Sequence, residues 1–335
     1  PPPRQRADPG ARRVIIDTDP GIDDMLAILL AFGSSSIIVE GLTIVCGNGK
    51  DIAQLGSNAK LLARLAGCSH VPVSLGDAPL DGTEAAQAAP VHVHGEDCLG
   101  GVAAKFGRTA ADFSGFDAKP AARFIADACA ASPGEITIVA IGPLSNVAAA
   151  LALQPELPSL ARELVIMGGA VHGELRGNRT AAAEANFCAD PEAAQTVLTA
   201  GFGRAVLADL GITHQTDMVL LREACSRELA GSPVAEMVNA VCKCYIDCYL
   251  NTFRQPTAPA HDVVPVMYLI RPDLFSTRAA RVEVELQGSL TRGMSVVDWS
   301  GRWQKESNVE VLMTLGSADE FVLEFVAGPR RGGGA

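Results

Sequence analysis

The sequence predicts an α/β fold: a mostly parallel, doubly wound sheet with helices on both faces and a small added β region near the C-terminus. Three observations predict it. Short runs rich in β-branched residues alternate with longer segments of helical spacing through most of the chain. With 335 residues, 48% of them hydrophobic, the chain can bury a large core as one doubly wound unit with insertions. Polar and glycine-containing motifs recur at strand ends, which in such sheets share one ligand-binding rim.

The elements run in order along the chain. Val14–Ile16 is the first strand, and Asp24–Phe32 the first helix, with Met25, Leu26, Ile28, Leu29 and Leu30 apolar. Ile37–Val45 is a second strand, ending in Cys46-Gly47-Asn48-Gly49. A helix with Ile52, Leu55, Ala59, Leu62 and Leu65 at helical spacing leads to a short strand, Val71–Leu75. Gly76–Arg108 reads as a long irregular loop, and loops of that length are commonly functional. Helix Pro120–Ala131, strand Glu135–Ile141, helix Leu144–Leu153 and strand Leu164–Met167 continue the alternation. A polar loop, Ala170–Ala189, precedes helix Pro191–Thr199 and strand Arg204–Ala208. Helices are predicted over Asp217–Leu229 and Val234–Leu250, and again from Asp262 to Ile270. Strands at Arg281–Leu286, Ser295–Asp298 and Val309–Thr314 form the added β region, before a last helix, Ala318–Val326. One domain spans 14–327, with a disordered leader over 1–13 and a disordered Gly-rich tail over 328–335.

Composition excludes several classes of partner. The formal net charge of -11, without any basic run longer than a pair such as Arg330-Arg331, opposes binding to nucleic acid or to an anionic membrane surface. No stretch is apolar enough to span a bilayer, and the N-terminal residues carry no signal-type core. Nine cysteines without framework spacing read as reduced thiols, which points to a cytoplasmic setting. Cys242, Cys244 and Cys248 share a helix with Tyr245 and Tyr249 and are expected to pack as small hydrophobes rather than to ligate metal.

The most informative stretch is Val14 to Asp24. A strand runs into Asp17, Asp19, Asp23 and Asp24, four carboxylates within eight positions. Pro20-Gly21 makes the turn, and acids at a helix start are favoured by its free N–H groups. Capping and surface charge account for one or two of these acids, but not for Asp17 and Asp19 at the end of a buried strand. Acids so placed must be paired or hold a cation. Asp19, Asp24 and Asp262 form an all-oxygen ligand set that suits Ca²⁺ or Mg²⁺, with Ca²⁺ preferred because its looser shell leaves room for substrate hydroxyls. Asp19 is then the candidate general base toward a water, and Asp23 the candidate for a substrate hydroxyl. Asn48, Asn178, Glu184 and Asn186 lie in rim loops and suit a polyhydroxylated ligand such as a ribose. His261, beside Asp262, is a candidate general acid, the alternative being a cap or surface histidine at that helix start. His92-Val93-His94 resembles a zinc-binding His-x-His pair, but it sits in a loop without a second histidine pair.

Together these segments resemble the nucleoside hydrolases, the inosine–uridine-preferring N-ribohydrolase family. Asp17-Thr18-Asp19-Pro20-Gly21-Ile22-Asp23-Asp24 matches that family's DxDPGxDD signature. Val45-Cys46-Gly47-Asn48, His94-Gly95-Glu96, Gly142-Pro143-Leu144-Ser145-Asn146, Met167-Gly168-Gly169, Ala183-Glu184-Ala185-Asn186, Ala189-Asp190-Pro191-Glu192-Ala193 and His261-Asp262 fall in family order, so the likeness covers nearly the whole chain. The resemblance implies a Ca²⁺ held by Asp19, Asp24, Asp262 and the main-chain carbonyl of Ile141, where relatives often carry Thr. It implies ribose contacts from Asp23, Asn48, Asn178, Glu184 and Asn186, with Met167 packed on the sugar. His261 becomes the proton donor to the leaving base, helped by His94, and Tyr245, Tyr249 and Phe253 become the wall over the base. The implied substrates are ribonucleosides (uridine, inosine, xanthosine), and the implied assembly is a homodimer or homotetramer. Cys98-Leu99 replaces a Gly-rich run common in relatives, which leaves the preferred base open. Two rivals remain: a haloacid-dehalogenase-type phosphohydrolase, which also places Asp-x-Asp after a first strand, and a calcium-dependent nucleoside-binding protein without turnover.

Overall fold

A computed structural model describes residues 8–77 and 90–332, with side chains through 327. One nine-stranded sheet runs through the molecule in the order β3-β2-β1-β4-β5-β6-β9-β7-β8. Its first half is β1 (Arg12–Thr18), β2 (Ile37–Ile44), β3 (Val73–Leu75) and β4 (Ile136–Ala140). The second half is β5 (Glu163–Met167), β6 (Ala205–Ala208), β7 (Phe275–Val284), β8 (Ser295–Asp298) and β9 (Val309–Leu315). β3 through β6 and β9 pair in parallel, whereas β7 runs antiparallel to both β9 and β8. The added C-terminal strands therefore extend the main sheet instead of forming a separate layer.

Both faces of the sheet are covered, and the strand period of two sorts the side chains between them. Val14, Ile16, Val139, Val165 and Val206 pack into one apolar core with α1 (Ile22–Gly33), α2 (Ile52–Leu65) and α12 (Val263–Ile270). Ile15, Ile138, Leu164, Ile166 and Leu207 enter a second core on the opposite face. That core holds α4 (Ala121–Ala131), α5 (Ser145–Leu153) and α8 (Pro191–Leu198). Helix α1 is buried along almost its whole length, so its apolar residues spread round the helix.

Several boundaries differ from the sequence expectation. β1 begins at Arg12, so the last two residues of the expected leader are strand. Arg12 N–H bonds the Ser36 carbonyl at 2.9 Å, Arg12's guanidinium pairs with Glu163, and Arg13 bonds Glu40 at 2.7 Å. Residues 1–7 of that leader lie outside the described residues. At the other end, α13 (Ala318–Gly332) carries helix into the expected Gly-rich tail, anchored by Phe321, Phe325 and Val326 in the core. Residues 333–335 again lie outside the described residues, as do 78–89 of the long loop. The rest of that loop includes a helical turn, α3 (Val91–His94), and a turn pinned by Asp97, which accepts from Leu99, Gly101 and Ala103 N–H at 2.7–2.9 Å. The loop from Ala170 ends in a further short helix, α7 (Ala185–Ala189). Short helices α6 (Leu157–Leu160) and α9 (Leu210–Thr213) went unread, because four residues carry no periodicity. The expected helix from Val234 to Leu250 is α11 (Pro233–Asp247) followed by a π-turn, Cys248–Thr252. α10 (Met218–Glu228) precedes it.

Candidate active site

The parallel register puts the ends of β1, β2 and β4 side by side: Asp17 is level with Thr43 and with Ala140. The segments leaving these strand ends therefore converge. Asp19, Asn48 and Ile141 line one cavity of about 550 Å³, and Met167, after β5, joins them. Asp23, His94, Asn178, Glu184, Asn186, Tyr249, His261 and Asp262 line the same cavity. Asp24, the remaining candidate, is fully buried beneath its floor.

The floor is acidic. Oxygens of Asp23, Asp24 and Asp262 all lie within 4.8 Å of one another. The trio differs from the expected ligand set, in which Asp19 stood where Asp23 does. Asp19 borders it and repels Asp24 and Asp262 electrostatically. Burial, and then the neighbouring charges, push Asp19 and Asp262 well above the usual carboxylate range and Asp23 up to about 8. Asp23 Oδ1 is buried without a hydrogen-bond partner. Hard oxygens, mutual repulsion and an orphaned oxygen make a set that a divalent hard cation fits. The His-x-His pair does not join it: His94 Nδ1 instead accepts from Ile22 N–H at 3.1 Å, and His92 is an exposed lining residue set edge-on to Phe253 at 5.8 Å.

Each acid is held by a specific mount. Asp24 is the third residue of α1 and caps it, accepting from Gly21 N–H at 2.9 Å and from the Thr18 hydroxyl at 2.5 Å. Asn48 donates its amide to Asp24 at 3.0 Å and to the Asp19 carbonyl at 3.1 Å, while its N–H donates to Asp19 Oδ2 at 2.7 Å. Two glycines leave room for Asp19: a Cβ on Gly47 would come within 2.2 Å of its carboxylate, and one on Gly142 within 2.6 Å. Asp17 lies beneath the rim, accepting from Thr43 at 2.6 Å and from Asn146 at 2.8 Å, and burial pushes its pKa up to about 7. It ties the strands together and does not reach the cavity.

One wall is polar. Asn186 donates to the Ile141 carbonyl at 2.9 Å and to the Met167 carbonyl at 3.2 Å. Glu184 accepts from three N–H groups (Gly169, Asn186 and Phe187) at 2.9–3.1 Å, and burial raises its pKa to about 7 against them. Asn178 is exposed at the mouth, its carbonyl oxygen bonded to Ala185 N–H at 2.9 Å.

The opposite wall is aromatic. Tyr245 and Tyr249 stack at 4.6 Å, Tyr249 meets Phe253 edge-on at 5.4 Å, and His94 meets Tyr245 at 5.7 Å. The π-turn widens the helix where it presents Tyr249, as such insertions do at functional positions. Tyr249's hydroxyl is 3.1 Å from His261 Nε2, and Thr213's hydroxyl is 2.7 Å from Nδ1. Burial, with His214 and His94 nearby, holds His261 well below its usual pKa. Burial also lowers His94 to about 3, so its resting ring is neutral.

Sequence reasoning missed Thr213 and His214, which come after the β6 strand end on the unread helix α9. His214 lines the cavity, 5.4 Å from the His261 ring. The available signal was Asp209, an N-cap residue directly after a strand on the ligand-binding rim.

Comparison with known proteins agrees with this architecture. A sequence model described as inosine-uridine preferring nucleoside hydrolase matches residues 14–322. The inosine-uridine preferring nucleoside hydrolase of Crithidia fasciculata is 34% identical, over 91% of this chain and 93% of its own. A pyrimidine-specific ribonucleoside hydrolase, RihB of Shigella sonnei, is 35% identical over 91% and 93%. Among solved structures, a plant nucleoside hydrolase superposes with a TM-score of 0.84 at 28% identity, covering 96% of this chain and 99% of that one. No helix among the described residues is long and apolar enough to cross a membrane.

Proposed function

The chain belongs to the inosine-uridine preferring nucleoside hydrolase family, and from that premise we propose that it hydrolyses the N-glycosidic bond of ribonucleosides such as uridine, inosine and xanthosine. Family membership removes the phosphohydrolase alternative. The observation that carries the reading is a single cavity lined both by carboxylates and amides and by a tyrosine–histidine cluster.

In this reading Asp24, Asp262, the bordering Asp19 and the Ile141 carbonyl would hold a Ca²⁺, with Asp23, clustered with Asp24 and Asp262, at its edge. When bound, the ion neutralises the acidic floor, orients the ribose diol and makes a neighbouring water more acidic. Asp23, Asn48, Asn178, Glu184 and Asn186 bind ribose hydroxyls, and Met167 packs on the sugar. Asp19 takes the proton of the attacking water as its oxygen bonds to C1′. The C1′–N bond breaks through an oxocarbenium-like transition state, and its electron pair leaves with the base. His261, charging as the base departs, would give its Nε2 proton to that base and return to the neutral ring, with the Tyr249 hydroxyl beside it. His94 and the Tyr245, Tyr249 and Phe253 rings hold the base plane. The thiols (all nine free, and mostly buried) agree with a reducing, cytoplasmic compartment. Assembly as a homodimer or homotetramer is part of the same proposal.

The test is ribose release from uridine, inosine, xanthosine, adenosine and cytidine, each read as kcat/KM. Turnover of at least one of the first three is expected. Tight binding without ribose release would move the protein to the non-catalytic reading, and neither binding nor release would overturn the proposal.

A further inference from the structure

The leaving-group histidine is mounted on a turn that nothing so far assigns to the reaction. Thr213 ends α9 and is fully buried. Its hydroxyl lies 2.7 Å from His261 Nδ1, an ordinary hydrogen-bond length, and 3.4 Å from the Leu210 carbonyl, which is long for an O–H donor. A hydroxyl at this distance either donates to Nδ1 or accepts from it; where it donates, Nδ1 presents its lone pair and the neutral ring carries hydrogen on Nε2. That nitrogen faces Tyr249 at 3.1 Å, beside the cavity. If the ring charges, the Thr213 oxygen accepts from Nδ1–H, and Nε2 still carries hydrogen. A hydroxyl can serve both ring states, which a carbonyl or an amide N–H at this place could not.

The same turn holds the histidine's backbone. The Thr216 hydroxyl donates to the Thr213 carbonyl at 2.7 Å and accepts from Ala260 N–H at 3.0 Å, one residue before His261. The turn itself is anchored by Asp209, which accepts from Gly211, Val171 and His172 N–H at 2.6–3.1 Å.

We infer that Thr213 is a positioning residue for departure of the base: its hydroxyl on Nδ1 holds His261 in the orientation and tautomer that turn Nε2–H toward the leaving group. The inference rests on the proposed nucleoside hydrolysis.

Thr213→Val keeps the side-chain shape and removes the hydroxyl, whereas Thr213→Ser keeps the hydroxyl. With inosine, the valine variant should lose roughly tenfold to a hundredfold in kcat with KM little changed, and serine should restore most of it. With 4-nitrophenyl riboside, whose leaving group needs no proton, the valine variant should stay within about twofold of wild type. Equal losses on both substrates, or no loss on inosine, would overturn the assignment. Imidazole ¹⁵N spectra provide a readout independent of turnover: wild-type His261 should carry hydrogen on Nε2 with Nδ1 as acceptor, and an Nδ1–H tautomer would reject the inference. Should wild-type protein neither bind any nucleoside of the panel nor release ribose from it, the proposed function fails, while the ring spectrum still decides the role of Thr213.

Discussion

Asp19 and His261 both line the cavity, but their substitutions should fail differently. Asp19→Ala removes the water's base and should lower kcat by at least about a hundredfold on every nucleoside, with the fold retained by circular dichroism. Unchanged turnover would remove Asp19 from its role. His261→Ala should slow inosine by a similar order but 4-nitrophenyl riboside far less, because that leaving group departs unaided. Most residues of this site were legible because carboxylates in an apolar context need an explanation. Asp17 was legible only as a problem; its hydrogen bonds to Thr43 and Asn146 show that it ties β1 to β2 and to the start of α5. Thr213 carried no signal of its own beyond the Asp209 cap before it, since a threonine in an apolar run reads as packing until its partner across 48 positions is known.

Helices and strands matter here for how closely their ends approach. The loops after β2 and β4 reach Asp19 at Gly47 and Gly142, where any Cβ would collide with the carboxylate. Gly142→Ala should therefore displace Asp19, lowering kcat by about tenfold or more while the melting temperature falls only slightly. Normal kinetics in that variant would show that Asp19 tolerates movement. Alternating apolar runs located the strands and the longer helices, usually within two residues. The short helices α6 and α9 escaped because one turn has no period. The π-turn escaped because nothing in Cys248–Thr252 distinguishes it from ordinary helix before Tyr249 is seen reaching His261. The C-terminal strands were recognised as strands, but their place at the edge of the main sheet depends on pairings with distant residues, such as Leu207 with Val311.

The whole molecule carries a stability signature of its acidic floor. Asp23 has a folded pKa of about 8, raised by burial and then by Asp24, against an unfolded value near 4. A group with a raised folded pKa contributes its stabilisation below the unfolded pKa, and that contribution is lost as pH rises through the folded one. Metal-free protein should thus lose stability between about pH 4 and pH 8 from this group, while a bound cation relieves the repulsion. The difference in Tm between calcium-saturated and EDTA-treated protein should widen from pH 5 to pH 8; a constant difference would detach the metal from these acids. Metal analysis should find about one Ca²⁺ per chain, and stoichiometric Zn²⁺ would contradict an oxygen-only centre.

Chain order adds a consequence of the convergent strand ends. Asp17 reaches across 129 positions to Asn146, and the acidic floor joins Asp23 and Asp24 to Asp262, near the far end of the chain. No early fragment contains the floor, so a nascent chain has no complete acidic cluster until residue 262 has emerged and the strands before it have paired. On the proposed calcium binding, affinity for the ion should report completion of the fold: in a stalled-synthesis series it should appear in one step, late, and never as a weak early site that gradually strengthens.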